Sequence, residues 1–200
     1  MINETLEYLY GYWARMCLFM ALFMSLPLIF FYNQIGSVAF WIWIQTPLYL
    51  LHQFEEHFNG GFKKFINQRI FKIMDADFPL NDKLIFWINI PFIWIMFPFV
   101  AIISVSHPAW GILLPIFAIT NASLHFIGFF ALKFTYNPGF LVSTFLNIPL
   151  GLYTIGILTS NNVAGGLQIL LAIIVAILSH ILIFIPARLR YLQYQNQKKK

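Results

Sequence analysis

The run Ala-Gly-Gly-Leu-Gln-Ile-Leu-Leu-Ala-Ile-Ile-Val-Ala-Ile-Leu-Ser-His-Ile-Leu-Ile-Phe-Ile-Pro-Ala, from Ala164 to Ala187, contains 24 residues and not one Asp, Glu, Lys or Arg. About 20 apolar residues carry a helix across the hydrocarbon core of a bilayer, so this run reads as a membrane span. Five more stretches of the same kind precede it: Tyr10–Tyr32, Val38–His57, Leu84–Val105, Ala109–Leu132 and Phe140–Leu158. Short polar or Gly/Pro segments separate most of them, among them Asn33-Gln34-Ile35-Gly36-Ser37, Ser106-His107-Pro108, Tyr136-Asn137-Pro138-Gly139 and Ser160-Asn161-Asn162. Prolines inside the spans (Pro27, Pro47, Pro91, Pro98, Pro115, Pro149) are compatible with helices there, because neighbouring helices and waters satisfy the freed carbonyls. The expected fold is an all-α, polytopic transmembrane helix bundle of about six spans, formed as a single domain over residues 1–200.

Composition agrees. Of 200 residues, 60% are hydrophobic and 10% charged, against about 25% charged in soluble domains. A lipid bilayer is the expected partner. Cys17 stands alone, which excludes an internal disulfide and a cysteine-rich metal site. The opening Met1-Ile2-Asn3-Glu4 lacks the basic start of a cleaved signal peptide.

The net charge of +5 invites a nucleic-acid reading, but the placement of the charges excludes it. Lys63, Lys64, Arg69, Lys72 and Lys83 follow the second span, Lys133 follows the fourth, and Arg188, Arg190, Lys198, Lys199 and Lys200 follow the sixth. Eleven of the 12 basic residues thus fall on one side of a six-span chain. The positive-inside rule puts that side, with both termini, in the cytoplasm. Within Phe62–Met74, the residues Phe62, Phe65, Ile66, Ile70 and Ile73 share one helical face and Lys63, Lys64 and Lys72 lie off it. This pattern predicts an amphipathic helix on the inner leaflet.

Few ionisable groups fall inside the spans. Glu55 and Glu56 are the acids and Arg15 the one Lys/Arg; such groups are costly in lipid and mark functional sites. Glu55 precedes Lys63 by eight residues, His125 precedes Lys133 by eight, and His180 precedes Arg188 by eight. Eight residues is about 12 Å of helix. Glu55, His125 and His180 are therefore expected near one depth, with His52 about a turn deeper and Arg15 at a similar level. His52 and Glu56 stand at i and i+4 and share a face. Three imidazoles and one or two carboxylates form a donor set suited to zinc or iron, with His52, Glu56, His125 and His180 as ligands and Glu55 and Glu56 as catalytic carboxylates. The same set suits metal-free acid–base chemistry. Asn121, a turn from His125, and Arg15 are supporting residues. Each has a structural alternative: Arg15 as a counter-ion of Glu55 or Glu56, His180 as a hydrogen bond between helices, Asn121 as a packing amide. His57 is expected near the interface and solvated. The patterns H-E-x-x-H and H-x-x-E-H are both absent.

At His52-Gln53-Phe54-Glu55-Glu56 the chain resembles the HXXEE family of small prokaryotic integral membrane proteins. Asn121-Ala122-Ser123-Leu124-His125 is similar to the family's N-x-x-x-H pair, Tyr136-Asn137-Pro138-Gly139 to its Y-x-P-G segment, and Pro149-Leu150-Gly151 follows. The resemblance covers most of the chain and implies a bacterial inner-membrane protein with His52, Glu55, Glu56, Asn121 and His125 at its core. The family is defined by its motif rather than by a reaction.

Four functions fit these residues. One is a metal-dependent, membrane-embedded enzyme acting on a lipid or other apolar substrate from the cytoplasmic side, with Glu55 as general base. The second is a metal-free Glu/His isomerase or transferase. The third is a proton-coupled transporter, against which stand the absence of an inverted repeat and an outer half nearly free of ionisable groups. The last is a non-catalytic membrane protein whose polar cluster fixes helix packing.

Overall fold

The computed structural model describes residues 2–198, and every regular element among them is helical. Helix α1 (Ile2–Phe30) is followed by α2 (Tyr32–Trp43) and α3 (Gln45–His57). A short α4 (Gly61–Phe65) runs into one wide π-helical turn, Ile66–Ile70. Three longer helices follow, α5 (Asp82–Ser106), α6 (Pro108–Ala131) and α7 (Phe140–Ser160), and α8 (Gly166–Lys198) comes last. Five of these, α1, α5, α6, α7 and α8, have the length and apolarity of membrane spans. The chain is an all-helical, multi-pass integral membrane protein. Its flanks carry the large apolar side chains that lipid accepts: Phe23 is 79% exposed, Val105 71% and Phe145 67%.

The expected span Val38–His57 departs from this pattern. It is divided at Ile44, because Pro47 has no N–H to offer the Trp43 carbonyl. Its second half is too polar to face lipid and is wrapped by protein instead. Gln45, Thr46, His52, Gln53, Glu56 and His57 of α3 are all buried. A polar membrane helix is stable only where other helices replace the lipid around it, and here α1, α6 and α7 do so. The six expected spans become five apolar helices around one broken polar one. A wide turn at Ile90–Met96 contains Pro91 and another at Ser143–Asn147 lies just before Pro149, where the backbone ladder also loses a donor.

Two contacts position α3. Gln45 Nε2 donates to Thr154 Oγ1 of α7 at 2.8 Å, an interhelical bond of the kind that joins membrane helices. Tyr49, Phe97 and Phe117, from α3, α5 and α6, are buried with ring centroids 4.6–5.8 Å apart. They form an apolar floor, and the His52 ring sits 5.2 Å from that of Tyr49. Gly151 sets the α6–α7 distance: a Cβ there would lie 2.9 Å from Ile119 Cγ1. A small residue at a close helix crossing accounts for the glycine of Pro149-Leu150-Gly151.

The predicted surface helix is shorter and more deeply packed than its pattern implied. It ends at Ile70, and Lys72 adopts φ +56. Lys63 is buried rather than off the apolar face, and its ammonium bridges Asp77 and Asp82, the latter at 2.8 Å. Burial pulls this amine's pKa down, but the hydrogen bonds it donates to Asp77 and Asp82 outweigh that and hold the group above the ordinary lysine range. Asn67 Nδ2 donates to the Ala76 and Leu80 carbonyls, and its Oδ1 accepts from Leu80 N. Phe71 and Phe78 stack on Tyr191 and Tyr194 of α8 at 4.7 and 5.3 Å. The segment is a cover folded over one end of the bundle, tied to the basic end of α8.

Candidate metal centre

Three of the anticipated residues meet. His52 and Glu56 lie one turn apart on α3, and His125 comes from α6. One donor atom from each lies within 4.8 Å of the others, and all three residues are buried. His52 Nε2 is 3.2 Å from Glu56 Oε2, and His125 Nε2 is 3.4 Å from Glu56 Oε1. Ligand atoms bound tetrahedrally at about 2.0–2.2 Å are separated by roughly 3.3–3.6 Å, so each of the two His–Glu spacings, one to each oxygen of the carboxylate, is near that of two ligands on one ion.

The second nitrogens fix which way the rings present their lone pairs. Asn137 Nδ2 donates to the His125 backbone carbonyl at 3.0 Å, which turns its Oδ1 toward His125 Nδ1 at 2.7 Å. An amide oxygen accepts, so Nδ1 carries a proton, and in the neutral ring Nε2 faces Glu56 with a lone pair. The His52 Nδ1 partner is the buried Ser143 hydroxyl at 3.2 Å. Metal-bound imidazoles are held in this way, with the non-ligating nitrogen tied to an oxygen. His52 Nε2 makes no aligned hydrogen bond, despite lying so near the Glu56 carboxylate.

The Tyr136-Asn137-Pro138-Gly139 loop clamps the cluster. Asn137 orients His125 as described. Gly139 has φ +95, and a Cβ on it would lie 2.7 Å from His52 Cε1 and 2.8 Å from His125 Cε1. Only glycine takes this backbone conformation freely and lets the loop touch both rings. Tyr136 donates its hydroxyl to Glu55 Oε1 at 2.9 Å. Burial raises the pKa of this phenol, and the bond to Glu55 raises it further.

Glu55 occupies a different place from Glu56. Its carboxylate accepts from Leu141 N at 2.9 Å and Val142 N at 2.7 Å, besides Tyr136. It thus caps the start of α7, where free N–H groups and the helix dipole favour an anion. His180 enters the same chamber as the cluster but is not among the three converging donors. Its Nδ1 binds the Ala176 carbonyl at 2.7 Å, its ring packs 4.6 Å from that of Phe117, and its Nε2 is buried without a partner. Asn121 also lines the chamber, with Oδ1 buried and unpartnered. Arg15 reaches Asn59 Oδ1 at 3.1 Å and lies 4.5 Å over the Tyr12 ring.

His57 corrects the sequence-based expectation. It is buried, not solvated, because Trp13 and Phe62 cover it at 5.1 and 5.4 Å between rings. Its Nε2 lies 3.3 Å from Glu56 Oε2. Gln53 adds a hydrogen bond to that oxygen at 3.3 Å. Asn137, Ser143, Gln53 and His57 were not anticipated as site residues. The Y-N-P-G segment carried the signal for Asn137; no sequence pattern marked the others.

Beside the cluster lies a cavity of about 190 Å³. Gln53, Glu56, His57, Asn89, Asn121, His125, Asn137 and His180 are its polar lining. Phe62, Phe65, Ile66 and Ile70 of the cover, Tyr49 of α3 and apolar residues of α5, α6 and α8 form most of the rest.

These features define a helical membrane protein with a buried two-His, one-Glu donor set clamped by a glycine loop. The family model for proteins of unknown function with the HXXEE motif matches residues 43–154, more than half of the chain, and the protein belongs to that family. The matched region runs from the end of α2 into α7 and contains the three donors and the clamping loop. No curated protein and no solved structure matches the chain.

Proposed function

We propose that the protein is a metal-dependent, membrane-embedded enzyme that acts on a lipid or other apolar substrate. His52, Glu56 and His125 hold a divalent zinc or iron ion. The carrying observation is the meeting of lone pairs. Two imidazole nitrogens face one carboxylate at 3.2 and 3.4 Å, and because Asn137 accepts the hydrogen bond of His125 Nδ1, the neutral ring turns an acceptor to that carboxylate. Acceptors at that distance repel unless a cation lies between them. Three protein ligands with room for a further one is the pattern of catalytic rather than structural sites, and two His with one carboxylate also suits non-haem iron. A divalent ion held there supplies Lewis acidity to a substrate oxygen or a water.

The chain's own residues supply the rest. Asn137 and Ser143 orient the rings, and Gln53 donates to Glu56 Oε2, with His57 Nε2 3.3 Å from the same oxygen. The apolar cavity excludes bulk water. Its volume of about 190 Å³ is below the roughly 300 Å³ of a pocket that swallows a whole drug-sized ligand, so it admits part of a larger substrate. Glu55, with three donors already on its carboxylate, holds α7 to α3 in place of the general-base role its position suggested.

One observation favours a second reading, metal-free acid–base chemistry. A third imidazole, His57, also touches Glu56, so a proton shared among the rings is the other cation that satisfies the cluster. Elemental analysis of the purified protein decides between them. The metal reading predicts about one zinc or iron per chain in the wild type and a near-complete loss in His52→Ala. Metal-free wild-type protein would sink it.

Location belongs to the same proposal. Both termini are cytoplasmic in this reading, which the one-sided distribution of the basic residues supports, and the membrane is a bacterial inner membrane, which the family resemblance supports. A reporter fused after Lys200 that is active only outside the cytoplasm would overturn this orientation.

A further inference from the structure

A second space of about 440 Å³ runs between α6 and α8 on the outside of the bundle. Its floor consists of two rows of α8 at four-residue spacing: Ile177, Ile181 and Ile185, and beside them His180, Phe184 and Arg188. Thr120 and Leu124 of α6 form the wall. Leu124, His180 and Phe184 also line the inner cavity. The furrow and the chamber of Glu56 and His125 therefore share a partition only one side chain thick.

We propose that this furrow is a lateral door for an anionic phospholipid, whose acyl chain lies along α8 while its phosphate meets Arg188. This rests on the enzyme reading above and names the substrate class for it. Three observations carry it. The furrow is open to the medium around the spans: Ile181 is 54% exposed, Ile177 47%, Leu124 46% and Phe184 43%. Its occupant is thus hydrocarbon from the surrounding leaflet. The furrow ends at a guanidinium, which takes phosphate by paired hydrogen bonds. At the junction with the chamber, His180 is 6% exposed with Nε2 unpartnered. Because Nδ1 donates to the Ala176 carbonyl, the neutral ring presents Nε2 as an acceptor where furrow meets chamber, to be met by a polar atom in the chamber rather than by the hydrocarbon in the furrow. His180 thus serves the passage rather than the donor set.

The spacing says which part of the lipid reaches the chamber. Arg188 follows His180 by eight residues, about 12 Å of helix. A phosphate at Arg188 leaves the middle of the chain, not the headgroup, beside His180 and Phe184.

Photolabelling in nanodiscs tests this. The probe is phosphatidylglycerol carrying a diazirine midway along one acyl chain. Peptides containing Leu124 and Ile177–Ile185 should label several-fold more strongly than the exposed face of α1. Ile181→Trp, and separately Ile177→Trp, fill the furrow from its lipid side and should abolish the excess. Arg188→Gln should reduce labelling to the level of a phosphatidylcholine probe. Uniform labelling of all exposed helices, or labelling unchanged in both Trp variants, would overturn the proposal. Labelling equal for the two lipids in the wild type would overturn the role of Arg188. Metal content measured on the same samples separates the two ideas. Even labelling with metal retained defeats only the door. Furrow labelling in a protein that holds no metal supports the door and defeats the metal reading.

Discussion

Glu55 and Glu56 are neighbours in sequence but serve two different regions. Glu56 faces inward and is surrounded by His52, His57, His125 and Gln53. Glu55, about 100° further round the helix, faces a seam where it meets the backbone N–H groups of Leu141 and Val142 and the hydroxyl of Tyr136. The interior region presents lone pairs toward one point. The seam presents donors to an anion that is thereby already satisfied. The contrast shows that two adjacent membrane carboxylates need not share a role: one is a candidate ligand, the other a fastener that holds the clamping loop over it.

The largest expected break in that contrast is at Glu56. Glu56→Gln keeps the volume but removes the charge, and metal occupancy should fall from about one per chain to near zero. A Gln variant that keeps full occupancy would place the ion elsewhere. Asn137→Ala and Gly139→Ala come next. The first frees the His125 ring, and the second drives a methyl against both imidazoles. Each should weaken metal binding by about 10–100-fold, the usual cost of disturbing groups that orient ligands, read by competition with a chelator. Unchanged affinity in both would mean that the loop does not set the ring positions.

Glu55→Gln should act on the fold instead. It loses charge-assisted bonds at the start of α7, worth about 1–2 kcal/mol. The unfolding midpoint in detergent should fall while metal stoichiometry stays at its wild-type value. Loss of metal without loss of stability would reverse the assignments of the two glutamates.

The smallest effect concerns Tyr136. Its folded pKa is raised, first by burial and then by Glu55, above the value of about 10 for a free phenol. The folded form holds this proton more tightly, so its contribution to stability is intact below about pH 10 and is lost as pH rises toward the folded pKa. Tyr136→Phe should therefore flatten the alkaline loss of stability. An identical alkaline profile in the variant would show that the phenol is not coupled to the seam.

Much of this was legible in the sequence because lipid imposes simple rules. Apolar length gave five of the spans within a few residues at most ends. The equal spacing of Glu55, His125 and His180 from basic residues identified helices that do line one chamber. The spacing rule measures depth along a helix, not direction around it. That is why Glu55 turned to the seam and His180 to the Ala176 carbonyl, while His52, Glu56 and His125 converged. His57 was misread for a related reason: nearness to an interface does not reveal that Trp13 and Phe62 will cover it. Pro47 reads as compatible with one unbroken span, yet the helix divides at Ile44, and the burial of α3 depends on helices far away in sequence. The Y-N-P-G loop was visible only as a motif, and its physical use appeared when Gly139 met two imidazoles.

The central claim, that the interior region holds a metal and the seam does not, is tested most directly by X-ray absorption at the metal edge of the purified protein. The expected spectrum shows an N/O-only shell at about 2.0–2.2 Å with scattering from two imidazoles. It should lose that histidine signature in His125→Ala and keep it in Glu55→Gln. No edge above background, or a shell without histidine, would contradict the account.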